Sequence, residues 1–446
     1  MQPYPQDIPA RSRSMPGRPG TPSLLRELND RAALDLLLGG ELLTRSQISE
    51  LTGVSKVTVS QMLTRLEERG LVTIAGEQAG GRGPAAALYS VVPSSAYVAG
   101  LYVESDLVSA AVADVTGRRV AEVSVNPNGV DDPVELLRGT VERACASAGI
   151  EATRLSALVI GSPGVVDPRT GDPSLAVNLP AWHEGALDAL RGVWHRPVVI
   201  ENDVNLAAMA ERADGAAAAA DDFVLIWLGV GVGLATILGG RLHRGWAGAA
   251  GEIGYLPVHG APLHTDIRHP ASGGFQSLAG GSAVRALAAE FGYPASSAAQ
   301  AVQAAVADTA GPGGQPHAPG PDGQRAPGPD GQQHVSGSDG QPRVAGPDGQ
   351  QRAAGFLDEL ARRVAVGVAA VCVVLDPGLV VLGGEVGQAG GAALADRVAA
   401  GVAAVWPARP RVVPTGVPGE PVLRGAMLAA VAQARTALLA SVADPQ

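Results

Sequence analysis

Residues 201–205 read Glu201-Asn202-Asp203-Val204-Asn205, directly after the apolar run 197–200. Asn and Asp favour helix caps, so one reading is a capped turn between a strand and a helix. The other reading is a binding site, because fixed carboxylates and amides can donate and accept several hydrogen bonds at once. Working outward, further Val/Ile/Leu runs stand at 157–160, 223–228 and 379–382, separated by Ala-rich helical stretches. That alternation predicts an α/β architecture.

At 446 residues the chain is too long for one ordinary domain. Hydrophobic residues make up 46% and aromatic residues only 3%, which predicts cores of Ala, Val and Leu. A net charge of −10 argues against a wholesale nucleic-acid coat protein and against binding to anionic membranes. The two cysteines, Cys145 and Cys372, cannot build a disulfide framework or a thiolate zinc site. Met1–Gly20 is rich in Pro, Arg and Ser without an apolar run, so it reads as a disordered tail and not as a secretory signal. The most apolar window, 223–238, carries three glycines and falls short of the ~20 residues of a membrane span. It reads as two strands and a turn, and the expected location is the cytoplasm.

Between Gly311 and Arg352 the composition changes abruptly. The pentapeptide GPDGQ begins at Gly320, Gly328 and Gly346, with GSDGQ at Gly337. So little apolar content cannot offset chain entropy, and a disordered insertion is expected. The expected partition is a tail at 1–20, a small helical domain at 21–92, and a larger body at 93–310 and 353–446.

Charge is distributed unevenly. Residues 1–90 carry ten Lys and Arg against nine Asp and Glu, while 91–446 carry 23 against 34. The first segment is therefore the one able to approach phosphate. Thr44-Arg45-Ser46-Gln47 has the pattern of a capping box and opens a short helix with Ile48 and Leu51 expected inward. Thr52-Gly53 ends it, Gly53 being free to turn left-handed. Ser55 then caps a second helix, whose Val59, Met62, Leu63 and Leu66 form one apolar stripe. Its other face offers Ser55, Lys56, Thr58, Ser60, Gln61 and Arg65. Leu71–Ala75, the run Gly80-Gly81-Arg82-Gly83-Pro84 and Ala87–Val91 read as a hairpin with Arg82 at its tip. The whole is a winged helix-turn-helix that would bind a double-stranded operator. Lys56, the sole lysine, and Arg65 are the expected phosphate contacts. Ser55, Thr58, Ser60 and Gln61 are placed for base edges, and Arg82 for the minor groove.

Five stretches of the body occur in register. They are Gly161-Ser162-Pro163-Gly164-Val165-Val166-Asp167, Asn178-Leu179-Pro180-Ala181-Trp182, the Glu201–Asn205 stretch, Leu228–Gly233 running on to Ala250-Gly251-Glu252-Ile253-Gly254-Tyr255, and Leu375–Gly384. In this order, behind a winged helix, they closely resemble the ROK family of repressors, open reading frames and sugar kinases. The resemblance implies an actin-like (ribonuclease H-like) fold of two α/β lobes, the ATPase/sugar-kinase fold, with a sugar cleft between the lobes. It also implies that Asp203 stands where the kinases keep their general base, and that Asn202 and Glu252 stand where they hold other hydroxyls.

Departures from the family are as informative as the matches. The kinases open with an Asp-x-Gly-Gly-Thr loop whose N–H groups wrap the phosphates. Here that stretch is Gly100-Leu101-Tyr102-Val103-Glu104-Ser105-Asp106, with the first acid and both glycines gone. The family's cysteine cluster is absent, leaving His259, His264 and His269, so no metal and no cofactor is expected. Tyr255 replaces a His, and Ser277 reads as the replacement of a carboxylate. The expectation is a homodimeric or homotetrameric transcriptional regulator on an inverted repeat, not an enzyme. Asn202, Asp203, Glu252 and Tyr255 would receive a sugar or sugar phosphate, with Asp203 a vestigial base. The rival expectations are a ligand-blind regulator with an oligomerisation body, and a sugar kinase.

Overall fold

The computed structural model describes residues 22–79, 85–104, 106–170, 173–174, 186–194, 197–266, 273–310 and 347–442. The chain divides into two compact units. One comprises residues up to 98 with 113–119 and those from 431 on; the other comprises 99–112 and 120–430. Hydrogen bonds join the segments of the first unit. Val92 N–H donates to Leu71 O and Val115 N–H to Pro93 O. Arg435 adds donors to Val115 O and Thr116 O.

The first unit opens with α1 (Pro22–Leu38), followed by β1 (Leu43–Thr44), α2 (Arg45–Thr52), α3 (Lys56–Glu68), β2 (Val72–Gln78) and β3 (Ala86–Val91). The strands form an antiparallel sheet in the order β1-β3-β2, with an irregularity between Ile74 and Gly76. β1 is a third strand beyond the expected hairpin, and β2 runs three residues past Ala75. The capping box is present: Gln47 N–H donates to Thr44 Oγ1 at 3.3 Å, and Thr44 N–H donates to Gln47 Oε1 at 2.8 Å. Gly53 is left-handed at φ 72°, ψ 10°. Ile48 is fully buried, but Leu51, expected inward, is 60% exposed. Among the described residues, no neighbouring element covers that side of the last turn of α2. Val59, Met62, Leu63 and Leu66 are buried, as their spacing predicts.

The body begins with β4 (Tyr97–Val103), β5 (Val108–Asp114), β6 (Arg119–Val125), α4 (Pro133–Ser147), β7 (Leu155–Ser162), β8 (Val165–Val166) and β9 (Pro173–Ser174). Then come α5 (Ala186–Val193), β10 (Val198–Asn202), α6 (Asp203–Asp214), β11 (Phe223–Leu228), β12 (Val232–Leu238) and β13 (Arg241–Leu242). The chain continues through α7 (Gln276–Ala279), α8 (Gly281–Glu290), α9 (Ala298–Ala310), α10 (Pro347–Leu375), β14 (Leu379–Gly383), α11 (Gly384–Val405), β15 (Arg411–Pro414) and α12 (Pro421–Val442). Two five-stranded sheets have the orders β10-β7-β4-β5-β6 and β13-β12-β11-β14-β15. Read from β6 in the first and from β13 in the second, the strands stand third, second, first, fourth, fifth in chain order, so one strand order is used twice. The second sheet packs its Val380 and Leu382 with Phe275 and Phe356 in an Ala/Val/Leu core, and Cys145 and Cys372 are both buried. Helix α12 is 22 residues long and apolar enough to cross a bilayer by length and composition. Its Val422, Leu423, Ala426 and Met427 are instead buried in the protein.

Residues 347–352, read above as the end of the insertion, form the first turns of α10. Pro347 and Asp348 suit a helix start, the one by its fixed φ and the other by its charge. Tyr293 Oη donates to Gly349 O at 3.3 Å and holds that turn. The rest of the insertion, 311–346, the tail 1–20 and residue 21 lie outside the described residues.

Candidate functional site

Two groups of side chains stand out, one on α3 and one at the start of α6. On α3, Ser55 accepts from Thr58 N–H at 3.2 Å, and the two hydroxyls share a hydrogen bond of 2.9 Å. Both are thereby engaged in the helix cap. Lys56 and Gln61 are exposed and make no hydrogen bond or ion pair among the described residues, while Ser60 is half-buried. Arg65 is differently employed: its guanidinium donates to Asp30 of α1, Nε to Oδ2 at 2.8 Å and Nη2 to Oδ1 at 2.5 Å. That pairing raises the Arg65 pKa. The expected phosphate contact is thus a clamp between α1 and α3. Arg82 lies outside the described residues.

At the second group, the capped-turn reading of residues 201–205 holds. Asn202 caps α6, its Oδ1 accepting from Asn205 N–H at 3.0 Å. Its amide nitrogen donates to Gly164 O and to Asp203 Oδ1, each at 3.0 Å. Glu201 is buried, accepts from Asn205 Nδ2 at 2.9 Å, and pairs with Arg244 at 2.7 Å. These bonds lock the turn and leave Asp203 as its carboxylate without a cationic partner among the described residues. Asp203 Oδ1 accepts from Val204 N–H at 2.8 Å. The group is buried, and burial pushes its pKa up to about 6 with help from the charges of Glu252 and Glu104.

Glu252 arrives from a tight turn that only Gly251 permits. Gly251 has φ +107°, and a Cβ there would meet Leu234 O. Burial raises the Glu252 carboxyl as well. Tyr102 is buried, and its hydroxyl donates to Glu104 Oε1 at 2.6 Å. Burial, then the charges of Asp203 and Glu104, drive the phenol well above its ordinary pKa. Glu104, Glu385 and Glu420 are each raised by burial, and the last two also by the charge of Glu104. Tyr102, Glu104, Asp203 and Glu252 therefore share one acidic neighbourhood.

Tyr255 turns to another partner, its ring tilted against His264 at 4.7 Å between centroids. Ser277 Oγ donates to Gly274 O at 2.7 Å. The buried polar residue at this point is its neighbour Gln276, which accepts from Val232 N–H at 2.8 Å and donates to Val230 O at 3.0 Å. Sequence reading missed Gln276, since an amide that braces a glycine loop has no local signature. Among the described residues, no group of three His, Cys, Asp or Glu side chains is arranged to hold a metal ion. His269 and the Asn178–Trp182 stretch lie outside the described residues.

Residues 99–317 match the ROK family, and residues 28–83 match the MarR family. A xylose repressor of Caldicellulosiruptor bescii is 28% identical over 246 residues, 54% of this chain and 61% of that protein. The chain thus spans less than two thirds of that repressor's own length. A ROK hexokinase of Thermus thermophilus superposes with a TM-score of 0.56 at 25% identity, over 76% of this chain and 99% of that one. A ROK family transcriptional regulator, a homologue of the Escherichia coli MLC protein, superposes with a TM-score of 0.66 at 16% identity, over 94% and 99%, and shares the fold.

Proposed function

The chain carries a ROK family domain behind a MarR-type winged helix, and on that premise we propose that it is a DNA-binding transcriptional repressor that senses a sugar or sugar-derived ligand. The observation that carries this reading is the exposed face of α3, where Lys56 and Gln61 stand free among the described residues while Arg65 fixes the helix from behind. In the major groove Lys56 neutralises phosphate and Gln61 reaches base edges. The protein works in the cytoplasm as a homodimer or homotetramer on an inverted repeat.

The effector binds at the acidic turn. Asp203 and Glu252 accept hydrogen bonds from its hydroxyls, and Asn202 and Tyr255 border the site. The similar xylose repressor makes xylose the first sugar to test. Asp203 keeps the character of a base, but Tyr102 and Glu104 occupy the stretch where a kinase would cradle phosphate. Carboxylates at Glu104 and Asp106 repel a triphosphate, so the domain does not transfer phosphate. A ligand-blind regulator is the second reading, favoured by the internal bonds that already engage Asn202 and Ser277.

The test of the DNA reading is a salt titration of binding by the full chain. Lys56→Ala is expected to weaken binding to every duplex and reduce the salt slope by about 1. Gln61→Ala is expected to relax preference at one or two base pairs and leave the slope unchanged. Wild-type affinity and footprint in both variants would overturn the assignment of α3.

A further inference from the structure

Val57 is the second residue of α3 and is 69% exposed. The position is notable for its direction. At ~100° per residue, Val57 stands roughly opposite the centre of the buried stripe of Val59, Met62, Leu63 and Leu66. Gln61 follows it at i+4 on the same outward line, and Lys56 precedes it. A β-branched apolar side chain at the most outward point of an otherwise polar helix face gains nothing from the protein. It is not needed as a helix former, because β-branched residues are among the weaker ones.

An apolar side chain flanked by a phosphate-seeking lysine and a base-reading glutamine has one matching feature in the major groove. That feature is the C5-methyl group of thymine, the only apolar group displayed on the base edges there. We propose that Val57 reads a thymine methyl, adding one thymine per half-site to the sequence that the protein selects. The inference rests on the reading of α3 as the DNA-reading helix and goes beyond it by naming the base and the atom recognised.

The test begins by enriching duplexes from a random library with the full chain. Each thymine of the enriched site is then replaced in turn by deoxyuridine, which removes only the methyl group. For the wild type, one position per half-site is expected to lose about fourfold in affinity, the effect of baring a single buried methyl. Val57→Ala and Val57→Ser are expected to bind thymine and uracil duplexes at that position equally, with unchanged thermal unfolding. Either of two results overturns the proposal: no thymine sensitive to uracil replacement, or the same sensitivity in both variants. Failure to enrich any duplex would instead reject the DNA reading itself, and this inference with it.

Discussion

Asp203 is the residue at which burial and charge oppose each other most directly. An aspartate whose pKa rises to about 6 in the folded chain binds a proton there that the unfolded chain has already released. Its contribution is therefore most favourable below pH 4 and is lost as pH rises through 6. Above that, the buried charge costs at most about 3 kcal/mol, from ~1.4 kcal/mol per unit. Asp203→Asn is expected to raise the unfolding midpoint at pH 8, with the gain fading by pH 4.5. A midpoint lowered equally at both values would contradict the account. Arg65 behaves in the opposite way, because its charge is matched. Asp30→Ala leaves that guanidinium unpaired against α1 and is expected to destabilise the first unit by about 2 kcal/mol in urea unfolding. An unchanged urea midpoint would mean that the pair contributes nothing. Neither environment follows from local spacing; only the family resemblance grouped Asp203 with Glu252. Asp203 meets Glu104 and Glu252 from segments far away along the chain, and Arg65 meets Asp30 across two helices.

Among the elements, those whose signals are local were the legible ones. The Thr44–Gln47 box, the left-handed Gly53, the Ser55 cap and the α3 stripe each depend on residues within one or two turns, and each forms as read. What escaped depends on partners distant in sequence. Leu51 is exposed because no neighbouring element among the described residues covers that side of the last turn of α2, β1 pairs with the edge that β3 offers, and α10 starts inside a repeat where Tyr293 holds its first turn. The turn that delivers Glu252 joins both kinds of information. Gly251 reads as a family motif, but its necessity shows only in the Leu234 carbonyl that a Cβ would strike. Gly251→Ala is expected to cost several kcal/mol, seen as insoluble expression or a midpoint lowered by many degrees. A soluble variant melting with the wild type would show that the turn can relax.

For the whole molecule, the two-lobed fold was legible from five motifs in register, whereas the doubled strand order behind it was not. The acidic turn is built within the body, and α3, the helix proposed to read DNA, within the first unit. Control of one by the other is thus a coupling free energy between two sites, set by the ligand's differential affinity for the protein's states. The decisive measurement is operator affinity of the full chain with and without each member of a panel of sugars and sugar phosphates, xylose first. The account expects one sugar to change the dissociation constant at least about fivefold, the lower end of allosteric couplings, and expects Asp203→Asn to abolish that change. An operator affinity indifferent to every sugar, or turnover of ATP with a sugar that Asp203→Asn abolishes, would contradict it.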